Sequence, residues 1–231
     1  KLLAVRLEAG RVLAETSPDA MTVEEGVKLR TALDDYVAAQ RYNGDRPESW
    51  LNLGNLNLRM GDVEQAEKDY RQALELAPDF GAGYLNLADL FRYMGRETES
   101  AELLRAGLEK QPEDAALHHA LGLSLVRRED MASGLAELRR SVDLAPENAR
   151  YAYVYAVGLN SNGQAGDAIA VLEKAHGFHP NDMQIMQSLA IFERDRGNVD
   201  RARYWVDRMI EVNPADQNIQ QFRNSLDSES P

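Results

Sequence analysis

The chain has 231 residues, 44% hydrophobic and 28% charged, a globular balance with length enough for one large domain or a small pair. It contains no cysteine, which excludes disulfides, Cys-ligated zinc or iron–sulfur sites, a thiol nucleophile and c-type haem attachment within these residues. Asp and Glu number 38 against 26 Lys and Arg, a net charge of −12 that repels nucleic acid and anionic lipid unless the cations are segregated, and no apolar run reaches the roughly 18–20 residues of a membrane span.

The chain opens on Lys1 rather than Met and shows no signal peptide, so a fragment of a longer protein is expected. Lys1–Glu15 carries Leu3, Val5, Leu7, Val12 and Leu13 at the spacing of an amphipathic helix, and Ser17-Pro18-Asp19 breaks it. Thr22 with Glu25 three residues on forms a capping box and predicts a second helix to about Arg41. Residues 1–46 are therefore N-terminal helices, the second packing through Leu29, Leu33 and Tyr36 on the helices after residue 46.

From there the chain repeats. Pro78, Pro112, Pro146, Pro180 and Pro214 are 34 residues apart throughout, and the same period divides the chain into 47–80, 81–114, 115–148, 149–182 and 183–216. Each unit holds two helical stretches of roughly 13 residues, for example Glu48–Met60 and Val63–Leu76, with apolar residues at three- and four-residue spacing. Two columns are small: Gly54, Ala88, Gly122, Ala156 and Ala190 in the first helix, and Ala66, Ser100, Gly134, Ala168 and Ala202 in the second. Paired helices approach closely where side chains are small. Gly61, Gly95, Gly163 and Gly197 end the first helices, where a left-handed residue is needed, and Glu129 stands alone in that column without glycine. The prolines follow the second helices and cannot continue them. One such pair cannot bury its apolar face, whereas stacked pairs can. Beyond Pro214, Ile219, Phe222 and Leu226 predict a capping helix within 217–231, and Asp227–Pro231 reads as a frayed polar tail.

Trp50, Leu53, Gly54, Ala66, Tyr70, Ala73 and Pro78 together resemble the tetratricopeptide repeat, with looser copies in the later units over 47–216. That resemblance implies an all-α, right-handed superhelix of five helix-turn-helix repeats. Ala32, Tyr36 and Ala39 lie 34 residues before Ala66, Tyr70 and Ala73, so the helix ending near Arg41 resembles the second helix of a repeat whose first has been rewritten. The segment AVRLEAGRVLAE resembles the second helix of a HEAT repeat. A HEAT-like end running into such repeats resembles the C-terminal region of bacterial multihaem c-type cytochromes of the cell envelope. This second resemblance implies a periplasmic location and a haem-bearing part elsewhere; a stand-alone repeat protein implies the cytoplasm.

The sequence offers little for catalysis. His118 and His119 are adjacent and point roughly 100° apart on a helix. His176 and His179 could meet near a helix end, but His176 occupies a column filled elsewhere by Leu74, Leu108, Val142 and Ile210, which favours a structural role. Asp34-Asp35 and Glu97/Glu99 fall on solvent faces. Hydrolase, nucleotide-binding and calcium-loop patterns are missing from the sequence. A non-enzymatic protein without metal or cofactor is expected.

The resemblance implies that first helices line a concave groove. Their inward positions include Leu51, Asn52, Asn55, Arg59; Leu85, Asn86, Arg92, Tyr93; His119, Leu123, Arg127; Tyr153, Val157; and Ile191, Arg194. Amides can bond the backbone of an extended peptide, and apolar neighbours can receive its side chains. The arginines suggest a basic stripe and an acidic-apolar ligand. Asn55 and Asn86 match the asparagines of the chaperone-binding repeat clamp, but Leu51, Ala116 and Ala120 stand where that clamp needs cations, so a chaperone tail is not the expected ligand. The expected partner is a protein or peptide, not nucleic acid, with no membrane insertion. The alternative is a structural or dimerising arm of a larger redox protein.

Overall fold

A computed structural model describes residues 23–228; the helix and break expected within 1–19, and Thr22 of the capping box, lie outside them. The described residues form twelve helices and no strand. A long α1 (Val23–Tyr42) precedes α2 (Pro47–Arg59), α3 (Val63–Leu76), α4 (Gly81–Tyr93) and α5 (Glu97–Lys110). After these come α6 (Ala115–Arg127), α7 (Met131–Leu144), α8 (Ala149–Ser161), α9 (Ala165–Phe178), α10 (Met183–Asp195), α11 (Val199–Val212) and α12 (Gln217–Ser228). The chain divides into two compact units, one ending at Pro112 and the other beginning at Glu113. Within the first, α2 packs on α3 and α4 on α5; within the second, α6 packs on α7, α8 on α9 and α10 on α11. None of the described helices is long and apolar enough to cross a membrane.

Local chemistry sets the helix limits. Pro47 occupies the first turn of α2, where an amide hydrogen would have no intrahelical partner anyway. Asp62, Asp114, Asp130, Asn148 and Asp182 each cap a helix by accepting from a first-turn amide, as Asp62 does from Gln65 N at 3.0 Å. Each repeating proline lies two residues past the end of a second helix.

The small columns mark the closest approach of paired helices. A Cβ on Gly54 would lie 2.4 Å from the Tyr70 ring. A Cβ on Gly122 or Gly134 would come within 3.0 Å of the other's carbonyl oxygen. Ser100 Oγ donates to the Ala88 carbonyl at 2.9 Å, joining the same two columns across α4 and α5. Ala66, Ala168 and Ala202 are wholly buried. Around these crossings Tyr70, Leu87, Leu90 and Phe91 build the core of the first unit. Leu172, Leu189, Trp205 and Val206 belong to the larger core of the second.

The first-helix turns use left-handed backbone at Gly61, Gly95, Gly163 and Gly197, and Glu129 adopts the same conformation with φ 65°. A Cβ at those four glycines would meet nothing within 4 Å, so the demand there is conformational rather than steric.

The C-terminal helix caps the last pair, with Ile219 and Leu226 buried in the core of the second unit. Asp227, expected in a frayed tail, instead lies within α12 and pairs with Arg203 of α11 at 3.0 Å and with Arg223. Arg223 also holds Asp207 of α11 at 2.6 Å. At the other end α1 packs on α2 with Ala32 buried, and Leu29, Leu33 and Tyr36 half-buried.

Replacing Glu129 by Gly should raise stability by about 0.5–1 kcal/mol, because the left-handed conformation then carries no side-chain penalty. Equal or lower stability in denaturant unfolding would contradict this. Ala168→Leu should overpack the α8–α9 crossing and lower stability by about 1–3 kcal/mol in the same assay.

Candidate functional site

The inward positions of the first unit are partly consumed by its own fold. Tyr70 is buried, and its hydroxyl donates to Asn55 Oδ1 at 2.7 Å. Burial, followed by the neighbouring Asp69 charge, pushes the Tyr70 phenol up to about 12, so it remains a donor. Asn52 Nδ2 reaches Gln40 Oε1 on α1 at 3.3 Å, and Asn86 Nδ2 donates to the Ala82 carbonyl one turn back at 2.9 Å. These three amides, expected to hold a peptide backbone, thus make bonds within the unit. Leu51 packs against the Tyr70 core, and Leu85 is half-buried. Arg59, Arg92 and Tyr93 are exposed, with Tyr93 at 72% and Arg92 paired to Asp89 at 3.3 Å.

In the second unit His119 is buried rather than presented. It is 7% exposed and stacks on Tyr151 of α8, with ring centroids 4.5 Å apart. Neither of its ring nitrogens has a hydrogen-bond partner among the described residues. Burial, reinforced by the Arg150 charge, lowers its pKa from 6.5 to about 4. Helical spacing places it inward; the Tyr151 ring, which the column alone does not reveal, covers it. Leu123 and Tyr153 are half-buried, while Val157 and Arg127 are exposed, Val157 at 37%.

The other histidines serve the fold. His118 Nδ1 lies 2.6 Å from Glu137 Oε2. His176 meets Trp205 edge to face at 4.9 Å, and His179 Nε2 donates to the Glu147 carbonyl at 2.5 Å, so the two do not converge. Among the described residues no group of three or more potential ligands could hold a metal ion. Glu99, expected on a solvent face, pairs with Arg96, which bonds Glu67 at 2.9 Å and lies 4.2 Å from the centre of the Phe91 ring.

Of the expected inward residues, Ile191 and Arg194 line a defined hollow. A cavity of about 500 Å3 lies between α10, the end of α11 and α12. Met183, Ile191, Met209, Ile219 and Phe222 supply its apolar walls; Gln187, Asn213 and Asn218 supply amides. Arg194 lies 5.6 Å from the centre of the Phe222 ring and pairs with Asp195 at 2.7 Å. Asp216 is occupied in capping α12, accepting from Asn218 N at 2.8 Å. The hollow can take an apolar side chain while amides bond a neighbouring backbone. The contributions of Met209 and α12 go beyond the sequence expectation, because α12 falls outside the 34-residue period; the helical spacing of Ile219 and Phe222 is the available signal.

Sequence profiles described as tetratricopeptide repeat match residues 47–80, 85–149 and 119–182. No curated protein matches the chain by sequence. Solved structures do match. YrrB, described as "a TPR protein with an unusual peptide-binding site", is 19% identical, with 81% of this chain and 96% of that one covered and a TM-score of 0.60. PilF of Pseudomonas aeruginosa is 19% identical, with 79% and 83% covered and a TM-score of 0.64. MamA from Desulfovibrio magneticus RS-1 is 16% identical, with 74% and 97% covered and a TM-score of 0.61. Likeness at these identities shows a shared fold.

Because protonation of His119 is opposed in the folded chain and not in the unfolded one, stability is fully present above about pH 6.5 and falls toward about pH 4, by on the order of 3 kcal/mol. His119→Leu should flatten the decline in unfolding free energy between pH 7 and pH 5. An unchanged slope would locate the acid sensitivity elsewhere.

Proposed function

The chain belongs to the tetratricopeptide repeat family, and from that premise we propose that it is a non-catalytic scaffold that holds an extended segment of a partner protein on the inner faces of its first helices. The observation that carries this reading is the hollow between α10 and α12, where Ile191 and Arg194 meet apolar walls of Met183, Met209 and Phe222. Shallow apolar pockets beside amides suit a peptide, whose side chains need burial and whose backbone needs partners. The likeness to YrrB agrees with this reading at the level of fold.

The ligand is apolar first and acidic second. Arg92 and Arg194 carry their own carboxylates, Asp89 and Asp195, so a ligand acid must compete with a pre-existing ion pair. The engaged amides of Asn52, Asn55 and Asn86 move the weight of recognition toward α10 and α12.

A displayed random-peptide library selected on the whole chain tests this. Selected peptides should carry apolar side chains and should bind Ile191→Glu at least about ten-fold more weakly, the loss expected when a charge replaces a buried apolar contact. Undiminished binding by a variant of native helicity would remove the hollow from the interaction.

A further inference from the structure

The first residue of each first helix is small or a proline in four repeats: Pro47, Gly81, Ala115 and Ala149. In α10 it is Met183. A column in the second helices holds Ala73, Gly107, Ser141 and Ala175, and in α11 it holds Met209. Both departures fall in the same repeat, and both methionines line the hollow between α10 and α12. Met209 and Ile219 are buried, 4% and 5% exposed, and form its floor. Met183, Ile191, Arg194 and Phe222 are half-buried, so each keeps surface that a ligand can reach.

The charges lining the hollow are already engaged. Arg194 Nε and Nη2 both donate to Asp195 Oδ1, at 3.0 and 2.7 Å. Asp216 accepts from two first-turn amides of α12. The remaining polar liners, Gln187, Asn213 and Asn218, are neutral amides. A ligand carboxylate would have to displace Asp195. What Arg194 still offers is its flat face, because hydrogen bonds of a guanidinium lie in its plane. That face is positive and is complementary in charge to the negative face of an aromatic ring. Arg194 already neighbours one ring, with its Cζ 5.6 Å from the centre of Phe222. The Met183 thioether favours the same company, because sulfur makes favourable contacts with rings.

We propose that the hollow takes an aromatic side chain of the partner segment, lodged among Met183, Phe222 and the guanidinium of Arg194. This rests on the scaffold reading above and narrows its ligand from apolar to aromatic. An aliphatic side chain in the hollow gains from leaving water. An aromatic one gains that and three contacts that seek a ring. The space of about 500 Å3 accommodates it, and the neutral amides of the rim suit the backbone on either side.

The test uses the whole chain with 13C-labelled Met and Ile methyls, titrated with the N-acetyl amides of phenylalanine and of cyclohexylalanine. The second probe keeps the six-membered ring and lacks a π-face, so it separates ring chemistry from apolar area. The Phe amide should move the Met183 and Ile191 methyls by its ring current and should bind about three- to ten-fold more tightly than the saturated probe. Arg194→Lys keeps the charge and loses the flat face; Met183→Leu keeps the bulk and loses the sulfur. Each should lower that preference at least about two-fold, and either suffices where the other loses helicity. Displayed peptides whose binding is weakened in Ile191→Glu should carry Phe, Tyr or Trp. Absence of methyl shifts, equal binding of the two amides, or a preference unchanged in both variants would overturn the aromatic occupant. Selected peptides that depend on Ile191 yet contain no aromatic residue would also overturn it, while leaving the scaffold reading in place. Peptides indifferent to Ile191→Glu would remove the hollow from binding, and the aromatic occupant with it.

Discussion

Everything in this molecule depends on how near two helices of a pair can come. At Gly122 and Gly134 each backbone lies close enough to bar a Cβ from the other, and at Gly54 the whole Tyr70 ring occupies the space of a side chain. A Ser hydroxyl on a backbone carbonyl makes the same contact between α4 and α5. Dispersion and exclusion of water both rise steeply with such proximity. The crossing fixes the rotation of each first helix about its axis, and hence which residues face inward. Widening it by one methylene would move Ile191 or Val157 as surely as a substitution at those places.

The repeat, its turns and its caps were legible because they answer to local rules. The prolines, the four left-handed glycines and the isolated Glu129 need only their own backbone to be understood, and the structure places all of them as the period implies. The surface was less legible because a polar side chain has several places to go. Nothing in the spacing of Asn55 says that a phenol fifteen residues later takes its oxygen, or that Gln40 meets Asn52. His119 illustrates the same limit: its neighbours in sequence predict exposure, and a ring on α8 removes it.

The charge obeys a related logic. An excess of twelve negative charges could have left the arginines free to collect ligands. Instead Arg96 bridges Glu67 and Glu99 over the Phe91 ring, Arg201 reaches Glu173 at 2.5 Å, and Arg223 spans two aspartates. Exposed pairs of this kind add little stability individually. Their effect is to tie neighbouring helices at chosen points.

The grip of Arg203 and Arg223 on Asp227 and Asp207 has a meaning for growth. In an array whose units all present the same mating face, the last unit offers that face to any identical unit, including one in another molecule. Head-to-tail docking of that kind has no natural end and yields filaments rather than closed assemblies. By seating Ile219 and Leu226 in the core of the second unit and fastening α12 to α11 with two arginines, the non-repeating helix covers apolar surface that α10 and α11 would otherwise leave open to such docking.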